Sequence, residues 1–516
     1  MTGGTETATG AGATTGARVV RGGLWKMLAN ALPQLYTLVL SIAAARYLGS
    51  SGMGRQSFIA FVEAATITLL SASFSLALMR YVGEAVGAGR PGAARWLAGS
   101  IARIVLVAAV VGGATLVLVG VFGGPPAAAW YLAAVATFNG IVVSIPSAML
   151  TGLQRWRQAT IAGLATGGLG VVATVAVLAL GGGITGMFAV EAVTTTVALA
   201  WTATLARGAM SELQAEPTRA LELRRGALRF AAFSFGGTLL YLIVWRRSEF
   251  FFLNHYSSDS EIAYYSIAFA IATGVVRLPS AMGEVLAPAI ATLFGAGAHD
   301  RIRAGFSRAL RLLVLATLPV TAAAAAVGPE AIRVIWGQEF SPAGKPFLVM
   351  VAASLLTPLT ILSSALLAGI GRVGVPLAAD AAAAAVDVGV AFALVPDHGA
   401  LGAAIASACG LLVAGGPQLV YAARLTGPIR WELGGLLRGV LIAAAGGAVA
   451  YGLVQALGGA AGVIVGLLAG GVVFLALSLL IGFLPRDDAH WLQGVIGTRG
   501  GRLPAQAVLA LAGRRQ

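Results

Sequence analysis

Residues 87–105 read GAGRPGAARWLAGSIARIV, and residues 295–313 read GAGAHDRIRAGFSRALRLL. At an offset of 208 residues the two GAG triplets coincide, and Arg103 coincides with Arg311. Six apolar segments separate the two copies. An even number of membrane crossings returns the chain to the same side, so the copies share one orientation and form a parallel repeat. The repeat predicts two similar lobes of six helices each.

Fourteen apolar segments contain and surround these motifs, and a bilayer crossing takes about 20 residues. The segments span 24–46, 56–79, 97–120, 128–150, 159–180, 184–206, 229–253, 263–286, 309–327, 346–368, 376–395, 400–422, 435–456 and 460–484. The sequence therefore predicts an all-α polytopic membrane protein with about 14 transmembrane helices. Two six-helix lobes related by the internal repeat precede a C-terminal helix pair.

The composition supports a membrane protein and excludes an ordinary soluble domain. Hydrophobic residues make up 58% of the 516 residues, 10% are charged, and the mean hydropathy is +0.87, whereas soluble chains are about a quarter charged. With both termini in the cytoplasm, the cytoplasmic segments hold 27 of the 34 basic residues and the outer segments hold four. Because basic residues concentrate on the cytoplasmic side, this distribution explains the net charge of +14 without nucleic acid.

These patterns divide the chain into consecutive regions. We expect a disordered cytoplasmic tail at 1–23, an N-terminal lobe at 24–206, a cytoplasmic linker at 207–228, a C-terminal lobe at 229–422, an appended helix pair at 435–484 and a cytoplasmic tail at 485–516. Transporters built from two repeated lobes bind substrate between the lobes near the membrane midplane. The candidate site residues are therefore the charged residues inside the predicted helices.

Motifs for nucleotide, cofactor or metal binding are missing or misplaced. Gly87, Gly89 and Gly92 form G-x-G-x-x-G, but they follow an apolar helix rather than a strand, and the sequence holds no P-loop motif. The single cysteine, Cys409, and four scattered histidines offer no metal cluster. We expect no catalytic residue, no cofactor and no metal ion.

Arginines inside predicted helices are the first candidates for a substrate site, because an intramembrane charge usually faces a cavity or a partner. Arg246 and Arg247 lie in the motif WRRSEF, and Arg277 precedes a proline by two residues. We expect these three arginines and Arg80 to bind an anionic group. Three alternatives stay open: Arg246 and Arg247 extend to the outer surface, Arg277 pairs with Glu284, or Arg80 is an ordinary cytoplasmic anchor.

Acidic residues inside predicted helices are candidates for coupling-ion sites or for internal ion pairs. Asp380 and Asp387 are seven residues apart and share one face of a helix. They either pair with arginines, or one of them binds a coupling proton or cation. Glu249 follows the first arginine of WRRSEF by three residues, a spacing that permits a pair, and Glu284 is the fourth candidate.

Glu63 and Glu191 are two further acids inside apolar segments. Neither has a charged neighbour at helical spacing in the sequence. Glu63 is a candidate coupling acid, but a structural role is the favoured interpretation for both residues.

Four short motifs resemble a known family. They are ARYLGSSGMGRQSFIAFV at 45–62, LMRYVGEAVGAG at 78–89, IWGQEFSPAG at 335–344 and PDHGALGAAIAS at 396–407. With them the chain resembles, over roughly 24–484, the polysaccharide transporter family of the MATE/MOP flippase superfamily, the Wzx-type flippases of lipid-linked oligosaccharides. The motifs mark turns between helices, so they identify the family better than the substrate.

The resemblance implies two six-helix bundles around a cationic cavity and alternating access without ATP. It implies undecaprenyl-diphosphate oligosaccharides as substrates, with Arg80, Arg246, Arg247 and Arg277 as candidate ligands of the diphosphate. The expected partners are the lipid-linked glycan, membrane lipids and other polysaccharide assembly proteins, but no nucleic acid. The expected location is the bacterial cytoplasmic membrane.

Two other functions compete with the flippase. A proton- or sodium-coupled exporter of drugs or metabolites needs acids in its cavity, which Glu63, Asp380 or Asp387 would supply. The intramembrane arginines argue against cationic drugs as substrates. A membrane enzyme of glycan assembly is less favoured, because the sequence has no large outer loop and no paired catalytic carboxylates.

Overall fold

The computed structural model describes residues 7–122, 124–213, 217–245, 248–429, 431–484 and 488–490, and every regular element in these ranges is helical. The helices are α1 (Thr7–Gly87), α2 (Pro91–Phe122), α3 (Ala127–Gly152), α4 (Trp156–Ala179), α5 (Gly183–Ser211), α6 (Leu221–Trp245), α7 (Glu249–Tyr256), α8 (Asp259–Gly295), α9 (His299–Ile335), α10 (Gly344–Ala353), α11 (Thr357–Gly369), α12 (Gly374–Thr426), α13 (Leu433–Leu457) and α14 (Gly459–Leu477). The all-α membrane fold predicted from the sequence is confirmed.

Ten stretches of the described chain are long and apolar enough to cross a membrane. Two of them, Leu32–Gly87 within α1 and the whole of α12, have 56 and 53 residues. Since one crossing takes about 20 residues, each of these two is long enough for two crossings. In the described residues each of the fourteen predicted segments is mainly helical, but the count of fourteen crossings remains a prediction.

The two longest helices are interrupted at glycines. Gly49 in α1 has φ 70° and ψ −177°, and Gly399 in α12 has φ 51° and ψ −129°. Glycine adopts positive φ without steric cost, so the chain can reverse direction here. Both interruptions fall between two predicted crossing segments. At the second one, Glu261 Oε2 accepts a hydrogen bond of 2.7 Å from the Ala400 amide.

The internal repeat is visible in equivalent turns. Gly89 and Gly297, which correspond at the offset of 208 residues, have φ of 70° and 69°. The turns also share their hydrogen bonds: Arg90 N donates to Ala85 O at 2.8 Å, and the corresponding amide of Ala298 donates at 3.0 Å to the carbonyl of residue 293. Each turn ends one helix and starts the next.

A second set of equivalent positions brings helix backbones together. A methyl group at Gly152 would lie 2.8 Å from the Met79 carbonyl oxygen, and one at Gly369 would lie 2.8 Å from the Ala287 carbonyl oxygen. Met79 and Ala287 are themselves 208 residues apart. The same close crossing of two helices therefore occurs once in each half of the chain.

The chain forms two compact units, Met1–Leu242 and Ile243–Gln516. The core of the first includes buried residues of α1, α2 and α3, among them Leu78, Ile101 and Ile141. Helix α6 joins this core through Ala227. The boundary between the two units lies near the end of α6, whereas the sequence predicts that the C-terminal lobe starts at 229. The region limits drawn from the sequence remain a proposal.

In the second unit, α13 and α14 pack on each other and on α9. A methyl group at Gly470 would lie 2.6 Å from the Gly446 carbonyl oxygen, so glycine permits the close approach of α13 and α14. At one end of α9, Arg311 Nη2 lies 2.6 Å from Asp488 Oδ1, and Arg308 Nε lies 3.1 Å from the same oxygen. Asp488 is fully buried, and its contacts with the two arginines stabilise its charge.

Candidate functional site

Arg80 lies near the end of α1 with its side chain exposed. Its guanidinium carbon lies 5.0 Å from the ring centre of Phe230 and 5.4 Å from that of Tyr81. Such cation–π contacts fix a guanidinium group without neutralising its charge. Within the described residues no carboxylate pairs with Arg80, so its N–H groups can bind an anion.

Arg277 lies in the middle of α8, a continuous helix of 37 residues, and its side chain is exposed. No ion pair involves Arg277 in the described part of the chain. The side chain of Glu284 lies outside the described residues, as do Arg246 and Arg247, so the pairings considered for these three remain predictions. Arg277 and Arg80 belong to different compact units, and the structure brings neither to a described partner of opposite charge.

Glu249 and Asp387 form a buried carboxyl pair in the second unit. Their exposed fractions are 3% and 2%, and the carboxyl group of Glu249 neighbours that of Asp387 and the phenol of Tyr265. Ser248 Oγ donates a hydrogen bond of 3.1 Å to Asp387 Oδ2. Two adjacent buried negative charges are costly, so this arrangement favours binding of a proton or a small cation.

Local structure explains how this pair forms. Glu249 is the first residue of α7, where the chain resumes a helix after the end of α6. Asp387 lies on α12 opposite Gly410, where an added methyl group would come within 3.2 Å of the aspartate Cβ. A glycine at this position leaves room for the aspartate side chain. The sequence indicates both acids as candidates but not their contact, because more than 130 residues separate them.

Asp380 lies two helical turns from Asp387 on α12 and is partly buried. The pair with Glu249 involves Asp387 alone, and no ion pair involves Asp380 among the described residues. The two aspartates therefore have different surroundings although they share one helix.

Glu63 and Glu191 are neighbours in the first unit. Glu63 on α1 is 4% exposed, and its charge repels that of Glu191 on α5. Both acids are isolated in the sequence, and no spacing between charged residues there indicates their proximity. Only the packing of α1 and α5 around α3 brings them together.

At a helix end outside the apolar segments, Arg155 and Glu212 form an ion pair with two hydrogen bonds. The hydrogen bonds from Arg155 lower the pKa of the Glu212 carboxyl below its ordinary value. The pair joins the start of α4 to the end of α5. Among the described residues no group of three acids, histidines or cysteines is arranged to hold a metal ion.

Comparison with known proteins identifies the family of the chain. Residues 19–294, more than half of the chain, match the family described as polysaccharide biosynthesis protein. No curated protein matches the chain.

Solved structures of MOP transporters have the same fold. The chain superposes on the lipid II flippase MurJ in its inward closed conformation with a TM-score of 0.67 at 12% sequence identity. The superposition covers 89% of this chain and 98% of the MurJ chain. An inward-facing multidrug resistance MATE transporter of the MOP superfamily gives 0.63 at 17% identity over 76% and 94%. A MOP superfamily transporter from Pyrococcus furiosus, titled for the reverse polarity of its binding pocket, gives 0.56 at 16% identity over 79% and 95%.

Proposed function

The chain belongs to the polysaccharide biosynthesis protein family of the MOP flippase superfamily, and from that premise we propose that it flips an undecaprenyl-diphosphate-linked oligosaccharide across the bacterial cytoplasmic membrane. Alternating access of two lobes carries the substrate for surface polysaccharide assembly. One observation supports the substrate class most strongly. Two of the candidate arginines, Arg80 and Arg277, are exposed and have no carboxylate partner in the described chain.

A diphosphate suits such arginines. The guanidinium group is planar, always charged and able to donate two parallel hydrogen bonds to phosphate oxygens. Arg80 retains free edges while its face contacts two aromatic rings. The polyprenyl chain stays in the hydrocarbon of the bilayer. We propose Arg246 and Arg247 as further ligands of the diphosphate.

The buried pair Glu249–Asp387 is the proposed site of a coupling ion. Its carboxyl groups are side by side, and one of them accepts a hydrogen bond from Ser248. A proton or a sodium ion relieves the repulsion, and its release favours the other conformation of the lobe. Asp380 and Glu284 are secondary candidates for the same role.

A proton- or sodium-coupled exporter is the second candidate function. The buried carboxyl pair supports it, as does the fold shared with a multidrug resistance MATE transporter. The exposed arginines favour an anionic substrate over a cationic drug. The family and the compared structures consist of transporters and flippases, and we propose no catalytic residue for this chain.

Arg277→Ala tests the flippase proposal. We expect wild-type protein in proteoliposomes to translocate an undecaprenyl-diphosphate oligosaccharide under an imposed ion gradient. Loss of the Arg277 guanidinium should slow translocation roughly 10- to 100-fold, because a charge-assisted hydrogen bond contributes about 1.5–3 kcal/mol. The assay measures loss of the labelled glycan from the leaflet that an outside enzyme can reach.

Arg438→Ala is the matched control, since Arg438 is exposed on α13 and its Nε donates to the Gly434 carbonyl of its own helix at 3.1 Å. Equal rates for Arg277→Ala and wild type would remove Arg277 from the site. Absence of wild-type translocation with several head groups, together with export of a small cation, would favour the exporter.

A further inference from the structure

Glu63 is a deeply buried acid without a compensating partner. Its side chain is 4% exposed, and its Oε2 atom has no hydrogen-bond partner among the described residues. An ionised carboxylate without partners is expensive in a low-dielectric environment. Within the apolar core of a membrane protein, binding a proton removes that cost.

Helix α3 contacts both α1 and α5, the helices that carry Glu63 and Glu191, and these contacts show which residues of the two helices lie at the same depth. A methyl group at Gly140 would lie 2.6 Å from Ile67 Cδ1 on α1. On the neighbouring face of α3, Asn139 Nδ2 donates to Thr196 Oγ1 at 2.9 Å and lies 3.4 Å from Thr195 Oγ1 on α5. One turn of α3 therefore contacts α1 and α5 at the same depth.

One helical turn, about four residues, before these contacts lie Glu63 on α1, Ala136 on α3 and Glu191 on α5. The second half of α1, α3 and α5 run in the same direction, because one returning helix separates each from the next. The three residues therefore lie at the same depth. Ala136 is fully buried and small, so it leaves the two carboxyl groups close enough to repel each other.

The described charged groups of the surrounding helices do not supply a counter-ion. Arg55 is eight residues from Glu63, about 12 Å along the helix, and its Nε donates to the Pro125 carbonyl at 3.1 Å. Arg207 is sixteen residues from Glu191, about 24 Å. Tyr36 lies in the first half of α1, and its hydroxyl donates to the Leu164 carbonyl at 3.1 Å. The other titratable side chains on the described parts of these helices lie nearer the ends of the crossing segments, and they are Arg46, Tyr47, Arg80, Tyr81 and Glu84 on α1, Arg95 and Arg103 on α2, Tyr131 on α3, Arg157 on α4, and Glu222, Arg224, Arg225 and Arg229 on α6.

We propose that Glu63 and Glu191 form a proton-binding pair in the first unit, a second coupling site independent of Glu249–Asp387. The proton binds one carboxylate oxygen, and the resulting O–H donates to the other carboxylate, so the pair carries one negative charge instead of two. Glu191 keeps part of its surface exposed and exchanges the proton, whereas Glu63 is enclosed and stores it. This inference rests on the proposed transport function, since it assigns a coupling ion to that function.

A proton fits this site better than a metal cation. Hard cations bind in cages of several oxygen ligands, and no group of three acids, histidines or cysteines is arranged to hold a metal ion among the described residues. Two carboxyl groups are sufficient to share one proton. We therefore expect the transport rate to depend on pH rather than on sodium concentration.

Infrared spectroscopy tests the pair without any transport assay. In full-length protein in lipid nanodiscs titrated with acid, wild type should show a protonated-carboxyl C=O band that disappears in Glu63→Gln. In Glu191→Gln the remaining band should change both its frequency and its pH midpoint. Glu84→Gln, which removes an exposed acid of the same helix, should leave the spectrum of the pair unchanged. A band unaffected by both glutamine variants would overturn the proposal.

Transport then tests coupling. In the pH range where one proton binds, the wild-type transport rate should change roughly tenfold per pH unit. Glu63→Gln should remove most of this pH dependence. Glu63→Asp, which retains a carboxyl group, should restore it. If the spectral result holds but wild type moves no oligosaccharide, the proposed function fails and the proton site stands. The coupling role is overturned if wild type transports the oligosaccharide and both glutamine variants keep its pH dependence. It is also overturned if the wild-type transport rate depends on sodium concentration instead of pH.

Discussion

At the scale of single residues, five of the charged candidate residues divide by environment. Arg80 and Arg277 are exposed, whereas Glu63, Glu249 and Asp387 are buried. Guanidinium groups that stay charged are suited to an anionic substrate, and enclosed carboxyl groups are suited to an ion whose binding neutralises them. The types of residue were visible in the sequence, but their environments were not.

Glu261 shows how one side chain stabilises a chain reversal. Its carboxylate accepts the Ala400 amide hydrogen bond at 2.7 Å, which satisfies a free N–H where the helix resumes after Gly399. We expect Glu261→Ala to lower the free energy of unfolding by about 1–2 kcal/mol, measured by thermal unfolding in detergent. Glu261→Gln retains an oxygen acceptor and should recover most of the loss, and equal stability of all three proteins would contradict the capping role.

At the scale of secondary-structure elements, the repeat determines how helices cross. The corresponding glycines Gly152 and Gly369 allow two helix backbones to approach at equivalent positions in both halves. The sequence predicted the repeat from its GAG triplets and from the coincidence of Arg103 with Arg311. It did not predict which backbone each glycine meets, because that depends on the packing of helices distant in sequence.

Gly369→Ala tests the importance of this crossing. The added methyl group would lie 2.8 Å from the Ala287 carbonyl oxygen and 2.9 Å from Ile290 Cβ, so the helices must separate. Overpacking of this kind costs about 1–3 kcal/mol, and we expect a corresponding fall in the unfolding temperature. Gly374→Ala is the control, since nothing lies within 4 Å of a methyl group at that position. Equal loss in both variants would contradict the packing explanation.

At the scale of the whole molecule, membrane orientation follows from charge. The predicted cytoplasmic segments hold 27 of the 34 basic residues, and such an imbalance places those segments in the cytoplasm. The multi-pass membrane fold is confirmed by the described helices and by the MOP structures that share it. The orientation itself remains a prediction.

A single native cysteine, Cys409, makes that orientation accessible to labelling. In a Cys409→Ser background, we expect Ser51→Cys to react with an impermeant maleimide in intact cells, because the turn at Gly49 faces outward. Ser211→Cys, at the predicted cytoplasmic end of α5, should react only after permeabilisation. Both serines are exposed, so accessibility within the protein is matched. The reverse labelling pattern would place the termini outside.

The sequence by itself determined the membrane class, the helical segments and the repeat, because apolar length, charge distribution and recurring motifs can be read along the chain without knowing how the helices pack. The tertiary structure decided the pairing of Glu249 with Asp387 and of Glu63 with Glu191. Each of these pairs joins helices separated by more than 120 residues. The depth at which two such helices meet is set by side-chain packing and by intervening glycines, and no local pattern in the sequence records it.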